Sequence, residues 1–134
     1  MFRPRAALFA LASAVALPVT LALPSGPAAA AALPTKNTTY KDSSIEAASD
    51  SGTITIKVGS NTHKIAKIVI VADCEGDKET FTRRNVTIKD NGMFRVTGGG
   101  DLSIAGKFRT KHWVTGSITT NQCGFFGGDF SARD

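Results

Sequence analysis

The chain has 134 residues with a formal net charge of +5 at neutral pH. Two of its 16 basic residues, Arg3 and Arg5, lie in an N-terminal segment with the pattern of an export signal; without them 14 basic residues face 11 acidic ones, a net charge of +3. A surplus of this size does not call for nucleic acid or a membrane surface as a partner. Beyond the N-terminal segment, no apolar run approaches the length of a membrane span.

Residues 1–32 have the three-part organisation of a secretory signal peptide. A positively charged start is followed by an apolar segment, residues 6–23, and then by small residues that end at Ala32. Such an order predicts export and cleavage. Pro18 interrupts the apolar segment, which is also short for a bilayer span. We therefore expect cleavage after Ala30 or Ala32 and a secreted, extracellular mature chain of about 100 residues, the size of one small domain.

The mature chain is patterned as strands separated by turns. Residues 33–51 are polar and are interpreted as a leader or a ragged first strand, whereas residues 52–134 are expected to form a single domain. Apolar and polar residues alternate strictly from Thr53 to Val58, which predicts a strand with one buried face. The β-branched run from Ile65 to Ala72 predicts a central strand covered on both faces.

Turn signals divide the second half of the chain. Asp90-Asn91-Gly92 is a strong hairpin turn, so residues 84–97 are predicted to form a β-hairpin. Three further strands are expected from residue 101 to the end, and the total is seven or eight strands with no helix longer than a turn. This spacing predicts an all-β fold, an antiparallel β-sandwich or jelly roll, with a small closed β-barrel as the second choice.

The two cysteines, Cys74 and Cys123, both lie in the mature part. A pair of cysteines in a small exported domain predicts one disulfide, which would close a loop of about 50 residues and add about 4 kcal/mol of stability. Metal ligation and a nucleophilic thiol are the alternatives. Neither cysteine has a Cys or His at ligand spacing, which argues against metal.

Several short motifs follow one another between Val69 and Arg133. They read I-x-D-N-G-x-F at Ile88–Phe94, I-x-G-K-F at Ile104–Phe108, V-x-G-x-I at Val114–Ile118 and F-x-A-R at Phe130–Arg133, the last preceded by a Cys-Gly pair. In this order the sequence resembles small exported β-sandwich proteins of Gram-positive bacteria. The resemblance implies a β-sandwich and supports a disulfide between the two cysteines. It brings no catalytic residues.

Four carboxylates alternate along one acidic stretch, which is interpreted as a loop: Asp73, Glu75, Asp77 and Glu79. Oxygen ligands crowded in a loop are what calcium requires, so this stretch is a calcium candidate. The spacing does not match an EF-hand, and Lys78 inside the cluster opposes cation binding. The alternative is a solvated connection whose charges discourage edge pairing.

A second group of residues suggests a contact surface. Lys107, Arg109 and Lys111 share the outward parity of one strand, and Trp113 shares that of the next. If these strands pair, one face carries three cations and an exposed indole, suited to a sugar ring or to an anionic polymer such as a cell-wall glycan. The alternative is that the cations protect an edge strand and that Trp113 is half covered.

Enzymatic arrangements are poorly represented. His63 and His112 are the only histidines, and neither lies in a zinc-protease motif or beside a nucleophile elbow. Residues 98–100 are three glycines without the helix and lysine of a phosphate loop.

The function expected from these patterns is that of an exported, non-enzymatic protein that acts by surface contact at the cell wall or with an extracellular partner, without a cofactor. The second hypothesis is a small secreted hydrolase, with His63 or His112 in a pocket beside carboxylates such as Asp73 or Glu75, or an enzyme inhibitor that presents the loop from Asp73 to Phe81. A nucleic-acid partner is not expected, because the sequence has one Trp and one Tyr and lacks an RNA-binding signature.

Overall fold

The computed structural model describes residues 32–47, 50–97, 102–120 and 126–134, and these form strands and connections without a helix. The predicted signal peptide, except for Ala32, and the glycine run at 98–100 lie outside the described residues. The strands are β1 Thr39–Ala47, β2 Asp50–Val58, β3 Lys64–Cys74, β4 Asp77–Thr87, β5 Met93–Val96, β6 Leu102–Thr110, β7 Trp113–Thr120 and β8 Phe126–Arg133.

All eight strands belong to one sheet, in the order β4-β3-β2-β1-β8-β7-β6-β5, and every pair is antiparallel. Strands β1–β4 and β5–β8 are two meanders joined through β1 and β8, and the outer strands β4 and β5 approach each other to give a nearly closed barrel. The all-β prediction is confirmed. Its preferred two-sheet sandwich is corrected to the second choice, a small barrel, because one continuous sheet replaces the two layers.

The interior of the barrel is filled by the inward-facing side chains of both meanders. Alternation in β2 buries Ile54, Ile56 and Val58, as predicted. In β3, however, Ile68 and Ile70 are buried while Val69 between them is only partly covered. The expected burial of both faces of β3 is therefore wrong. A β-branched run does not by itself report whether a second layer covers the sheet.

The turn at residues 89–92 forms, but the predicted hairpin of residues 84–97 does not. The Gly92 amide donates to the Lys89 carbonyl at 2.9 Å, and the Lys89 amide donates to the Met93 carbonyl at 2.8 Å. Beyond this turn the two strands separate, so that β4 pairs with β3 and β5 pairs with β6. A groove of about 360 Å³ lies between them.

Most of the stretch 33–51, which the sequence left open as leader or strand, is regular structure. Residues 39–47 form β1, and β2 already begins at Asp50. Pro34 is buried and Leu33 packs against the core. The hydroxyl of Tyr40 donates to the Lys111 carbonyl, which ties β1 to the turn between β6 and β7.

The connections between antiparallel neighbours alternate between the two ends of the barrel. We call the end with the β2–β3, β4–β5 and β6–β7 connections the histidine end, since His63 and His112 lie there. The opposite end carries the β3–β4 turn and the last residue of β3, Cys74, and we call it the cysteine end.

Candidate functional site on the outer wall of strands β5–β8

The outer face of β5–β8 carries a shallow trough of about 560 Å³. Strand register arranges its side chains in two rows that cross the strands. The first row runs from β5 to β8 through Arg95, Ala105, Ser117 and Asp129. The second row runs through Met93, Lys107 and Thr115, with Arg109 beside it. These eight residues define the trough.

Two facing glycines lie beneath these rows. Gly106 and Gly116 are register partners on β6 and β7. A Cβ atom on Gly106 would lie 2.4 Å from the Phe94 ring, and one on Gly116 would lie 2.6 Å from the Phe130 ring. The missing side chains therefore leave room for two phenyl rings in the barrel interior. Glycine in a strand also permits a local bend, and the trough lies at this point of the wall.

Charge is separated along the trough. Arg95, Lys107 and Arg109 lie on β5 and β6, whereas Asp129 lies on β8. Three strand spacings, roughly 14 Å of sheet, separate the backbone of Arg95 from that of Asp129. In the part of the chain that the structure describes, His63 pairs with Asp90 and His112 pairs with Asp134, whereas none of the three trough cations takes part in an ion pair.

The second cation on β6 has a defined position. Arg109 lies between Phe108 and Thr110, where the β6–β7 register shifts, and it has no register partner on β7. Its Nε atom donates to the Thr115 hydroxyl at 2.9 Å. A bulge changes the direction of a side chain. Here the guanidinium group lies along the neighbouring strand, toward the trough.

Trp113 lies on the same outer wall, next to the trough. Its indole N–H donates to the Ser131 hydroxyl at 2.8 Å, and the guanidinium carbon of Arg133 lies 4.7 Å from the ring centroid. One face of the indole is therefore occupied by a cation–π contact. Only the other face of the Trp113 ring could therefore stack on a sugar ring as predicted.

A carboxylate on β1 connects this region to the first meander. Asp42 accepts the Ser131 amide at 2.8 Å and the Ser44 amide at 2.9 Å. Partial burial raises the pKa of Asp42, but the hydrogen bonds from Ser131 and Ser44 together outweigh it, and the pKa is lowered from its ordinary value of 3.8. The carboxylate helps to hold β8 against β1, where the register shows a single pair, Lys41 with Arg133.

The predicted contact residues thus divide into two groups. Lys107 and Arg109 line the trough, as their outward parity indicated. Lys111 lies in the turn after β6, and its carbonyl accepts from Tyr40. Sequence reasoning missed Arg95 and Asp129. Arg95 has outward parity, since it lies between Phe94 and Val96. The expected hairpin placed β4 beside it, whereas its neighbour in the sheet is β6.

The acidic stretch is a hairpin and not a loop. Cys74 is the register partner of Asp77, so β3 and β4 are joined through Glu75 and Gly76, which both have positive φ. A two-residue turn with two positive φ values is the tight hairpin type I′. It leaves no long protruding loop between Asp73 and Phe81 of the kind expected for an inhibitor.

The four predicted calcium ligands are separated by the same hairpin. Asp73 lies opposite Lys78 on one face of the sheet, and Asp77 lies opposite Cys74 on the other face. Asp73 accepts the Gly76 amide at 3.1 Å. Within the described ranges, His, Cys, Asp and Glu side chains form no group of three suited to a metal. The four carboxylates do not converge, and the loop on which the calcium candidate depended is absent.

Cys74 ends β3 at the cysteine end of the barrel and is 8% exposed. Cys123 lies outside the described residues. The predicted disulfide between them is therefore not tested by this geometry and stays a prediction.

The two histidines lie on separate exposed turns at the histidine end. His63 Nε2 is 3.2 Å from Asp90 Oδ1, and His112 Nδ1 is 2.8 Å from Asp134 Oδ2. The hydrolase hypothesis expected a pocket that brings a histidine together with carboxylates such as Asp73 or Glu75, but these two carboxylates lie at the cysteine end. The predicted His–carboxylate site is not formed.

No family model, curated protein or solved structure matches this chain. The described residues contain no helix long and apolar enough to cross a membrane.

Proposed function

We propose that the protein is exported and acts by surface contact, at the cell wall or with an extracellular partner, without carrying out a reaction. The observation that supports this most directly is the trough. It gathers three cations on two adjacent strands, and Met93 at its rim is the exposed large hydrophobic residue of the described chain, at 45%. Unpaired cations beside a reachable apolar group suit a charged partner.

The barrel interior offers less to a partner. Apolar side chains from both meanders fill it, among them the fully buried Tyr40, Phe108 and several isoleucines. An eight-stranded barrel is just wide enough for its own side chains. A contact function is therefore better supported on the outer wall than inside.

Binding of the mature protein to isolated Gram-positive cell walls, measured by sedimentation, tests this function. The test variant carries Arg95→Gln and Lys107→Gln, which remove two charges from the trough. The matched control carries Lys57→Gln and Arg84→Gln, which remove two exposed charges from β2 and β4. We expect the test variant to lose about tenfold in affinity and the control to lose less than about twofold. Absence of binding by the unmodified protein to walls, and to proteins of the extracellular medium, would exclude this function.

We also propose the disulfide between Cys74 and Cys123. Three observations support it: β3 and β7 both run toward the cysteine end, the side chain of Cys74 points into the core, and no cysteine of the described residues is free. Since β2, β1 and β8 lie between β3 and β7 in the sheet, the bond would cross that end of the barrel. Intact mass before and after reduction decides this: a gain of two hydrogens supports the bond, and an unchanged mass refutes it.

A further inference from the structure

The distribution of charge within the trough carries information about the chemistry of its ligand. Cations occupy the β5–β6 side, and the β7–β8 side presents Thr115, Ser117 and Asp129. A ligand that carried only negative charge would meet the Asp129 carboxylate at one end. A neutral glycan would leave three cations without a partner.

We infer that the trough binds a hydroxyl-bearing polyanion, such as a polyol phosphate or an acidic glycan, laid across β5–β8. This inference rests on the proposed function and specifies its ligand class. The anionic groups lie against Arg95, Lys107 and Arg109, and the hydroxyl groups donate to Asp129. Arginine suits this role because its planar donors match phosphate and carboxylate oxygens in pairs.

The side chains between the two ends permit such a ligand to approach the sheet. Ala105 and Ser117 occupy the middle of the first row, and both are small. The glycine pair below them adds no side chain. Met93, opposite Lys107 on β5, offers an apolar contact for the carbon chain between anionic groups.

The same features disfavour nucleic acid. Binding of single strands depends on aromatic side chains on which the bases stack. The aromatic residue that borders the trough, Phe130, is 3% exposed, and one face of the neighbouring Trp113 is covered by Arg133. Single-stranded DNA serves as the contrasting probe in the test.

The test measures dissociation constants of the mature protein by calorimetry at low and at physiological salt. The probes are poly(glycerol phosphate), polygalacturonate, inorganic polyphosphate, which has no hydroxyl groups along its chain, and oligothymidylate. We expect poly(glycerol phosphate) or polygalacturonate to bind about tenfold more tightly than polyphosphate or oligothymidylate. The first two probes distinguish a phosphate polymer from a carboxylate polymer.

Asp129→Asn separates recognition of hydroxyl groups from simple charge attraction. Loss of the carboxylate relieves repulsion, so polyphosphate is expected to bind more tightly to the variant. A hydroxyl-bearing polymer loses its strongest acceptor, so its affinity is expected to fall or stay constant. The preference for hydroxylated polymer should therefore shrink by about tenfold. Equal strengthening toward all four probes would overturn the inference.

Ser117→Leu tests the location of the site without changing charge. Ser117 is exposed, and a leucine there fills the middle of the first row. Thr53→Leu, at an exposed outward position of β2, is the matched control. We expect loss of polymer binding in the first variant alone. If both variants retain binding, the ligand lies elsewhere.

The outcomes for this inference and for the proposed function are distinguishable. Retention of cell-wall binding by a protein that binds none of the polymers would overturn the ligand class and leave the contact function in place. Tight binding to a purified polymer by a protein that does not bind cell walls would overturn the proposed contact with the wall and leave the ligand class in place.

Discussion

The two meanders of the barrel use the same strand topology but fill their shared interior with different side chains. In β2 and β3 the inward positions are mainly isoleucines, such as Ile54, Ile56, Ile68 and Ile70. In β5–β8 three phenylalanines, at positions 94, 108 and 130, lie among buried aliphatic residues, and two of them lie over glycines. A β-branched side chain packs against a regular pleated strand. A ring over glycine instead occupies the space of the missing Cβ, and the wall of the second meander carries the trough.

This difference shows how a small barrel can carry a trough on its outer wall without opening its core. Both meanders bury their apolar residues, yet only the second replaces large inward side chains by glycine on two paired strands. The outward residues above that pair include Ala105 and Ser117, which are short. The candidate site therefore arises from the packing of the core behind it.

The largest expected loss of stability comes from removing the ring of Phe108, which contacts two other aromatic rings. Phe108 is fully buried, and its ring centroid is 5.4 Å from that of Tyr40 and 5.8 Å from that of Phe94. Phe108→Ala is expected to lower the free energy of unfolding by about 3–5 kcal/mol. Denaturant unfolding measures this, and Ile70→Val in the first meander, expected to cost about 0.5–1.5 kcal/mol, sets the scale. A loss below 1 kcal/mol for Phe108→Ala would contradict the role of these aromatic contacts.

The glycine pair is the next test of the comparison. Gly106→Ala and Gly116→Ala should each cost about 1–3 kcal/mol through overpacking. Gly59→Ala is the control, because the nearest atom to a Cβ there is 3.6 Å away. Thermal or denaturant unfolding provides the measurement.

The two glycines should differ in their response to a smaller neighbour. Each of the three nearest contacts of a Cβ on Gly106 is with the Phe94 ring, whereas a Cβ on Gly116 would also lie 2.2 Å from the Ala105 carbonyl oxygen. Adding Phe94→Leu is therefore expected to recover part of the stability lost in Gly106→Ala. Adding Phe130→Leu to Gly116→Ala should recover less, because the backbone contact remains. Equal recovery in the two double-mutant cycles would argue against this account.

A smaller loss of stability is expected from a change at the junction of the two meanders, between β1 and β8. Both Asp42 oxygens accept hydrogen bonds, so in Asp42→Asn one donor necessarily faces the amide NH₂ group. We expect a loss of about 0.5–1 kcal/mol near neutral pH, reduced by the partial exposure of the group. Because the folded-state pKa is lowered, the carboxylate stabilises the fold above pH 3.8 and loses this contribution as the pH falls below that value. Stability curves from pH 7 to 2 should therefore converge for the unmodified protein and the variant.

A loss of stability of similar size is expected at the histidine end at neutral pH. The Tyr40 hydroxyl donates to the Lys111 carbonyl and accepts the Thr35 amide at 3.0 Å. Tyr40→Phe should cost about 1 kcal/mol. Burial raises the pKa of Tyr40 above its ordinary value of 10.0, more than the Thr35 hydrogen bonds lower it, and Asp134 raises it further.

The unfolded chain therefore ionises at this tyrosine before the folded one does, and the contribution of Tyr40 is lost as the pH rises above 10. The unmodified protein should show a decline in stability there that Tyr40→Phe reduces. The difference between the two unfolding free energies, followed from pH 8 to 11, gives the result, and a constant difference would contradict the raised pKa.

Local pattern was sufficient for the all-β class and for the faces of several strands. The alternation in β2 predicted which side chains are buried, because adjacent residues of a strand point to opposite faces whatever its neighbours are. The outward positions of Lys107 and Arg109 followed from the same rule. The Asp90-Asn91-Gly92 turn was also evident, since Asp, Asn and Gly favour turns, and Gly92 has a positive φ.

Pairing between distant strands decided the rest. The contact between β1 and β8 converts two meanders into one nearly closed sheet, and it joins residues far apart in sequence, such as Lys41 and Arg133. The same long-range register determines that Arg95, Lys107 and Asp129 share one surface, although each lies on a different strand. The sequence of a strand indicates which of its residues face outward. Which outward residues meet depends on the neighbouring strands in the sheet, and only the tertiary structure determines those neighbours.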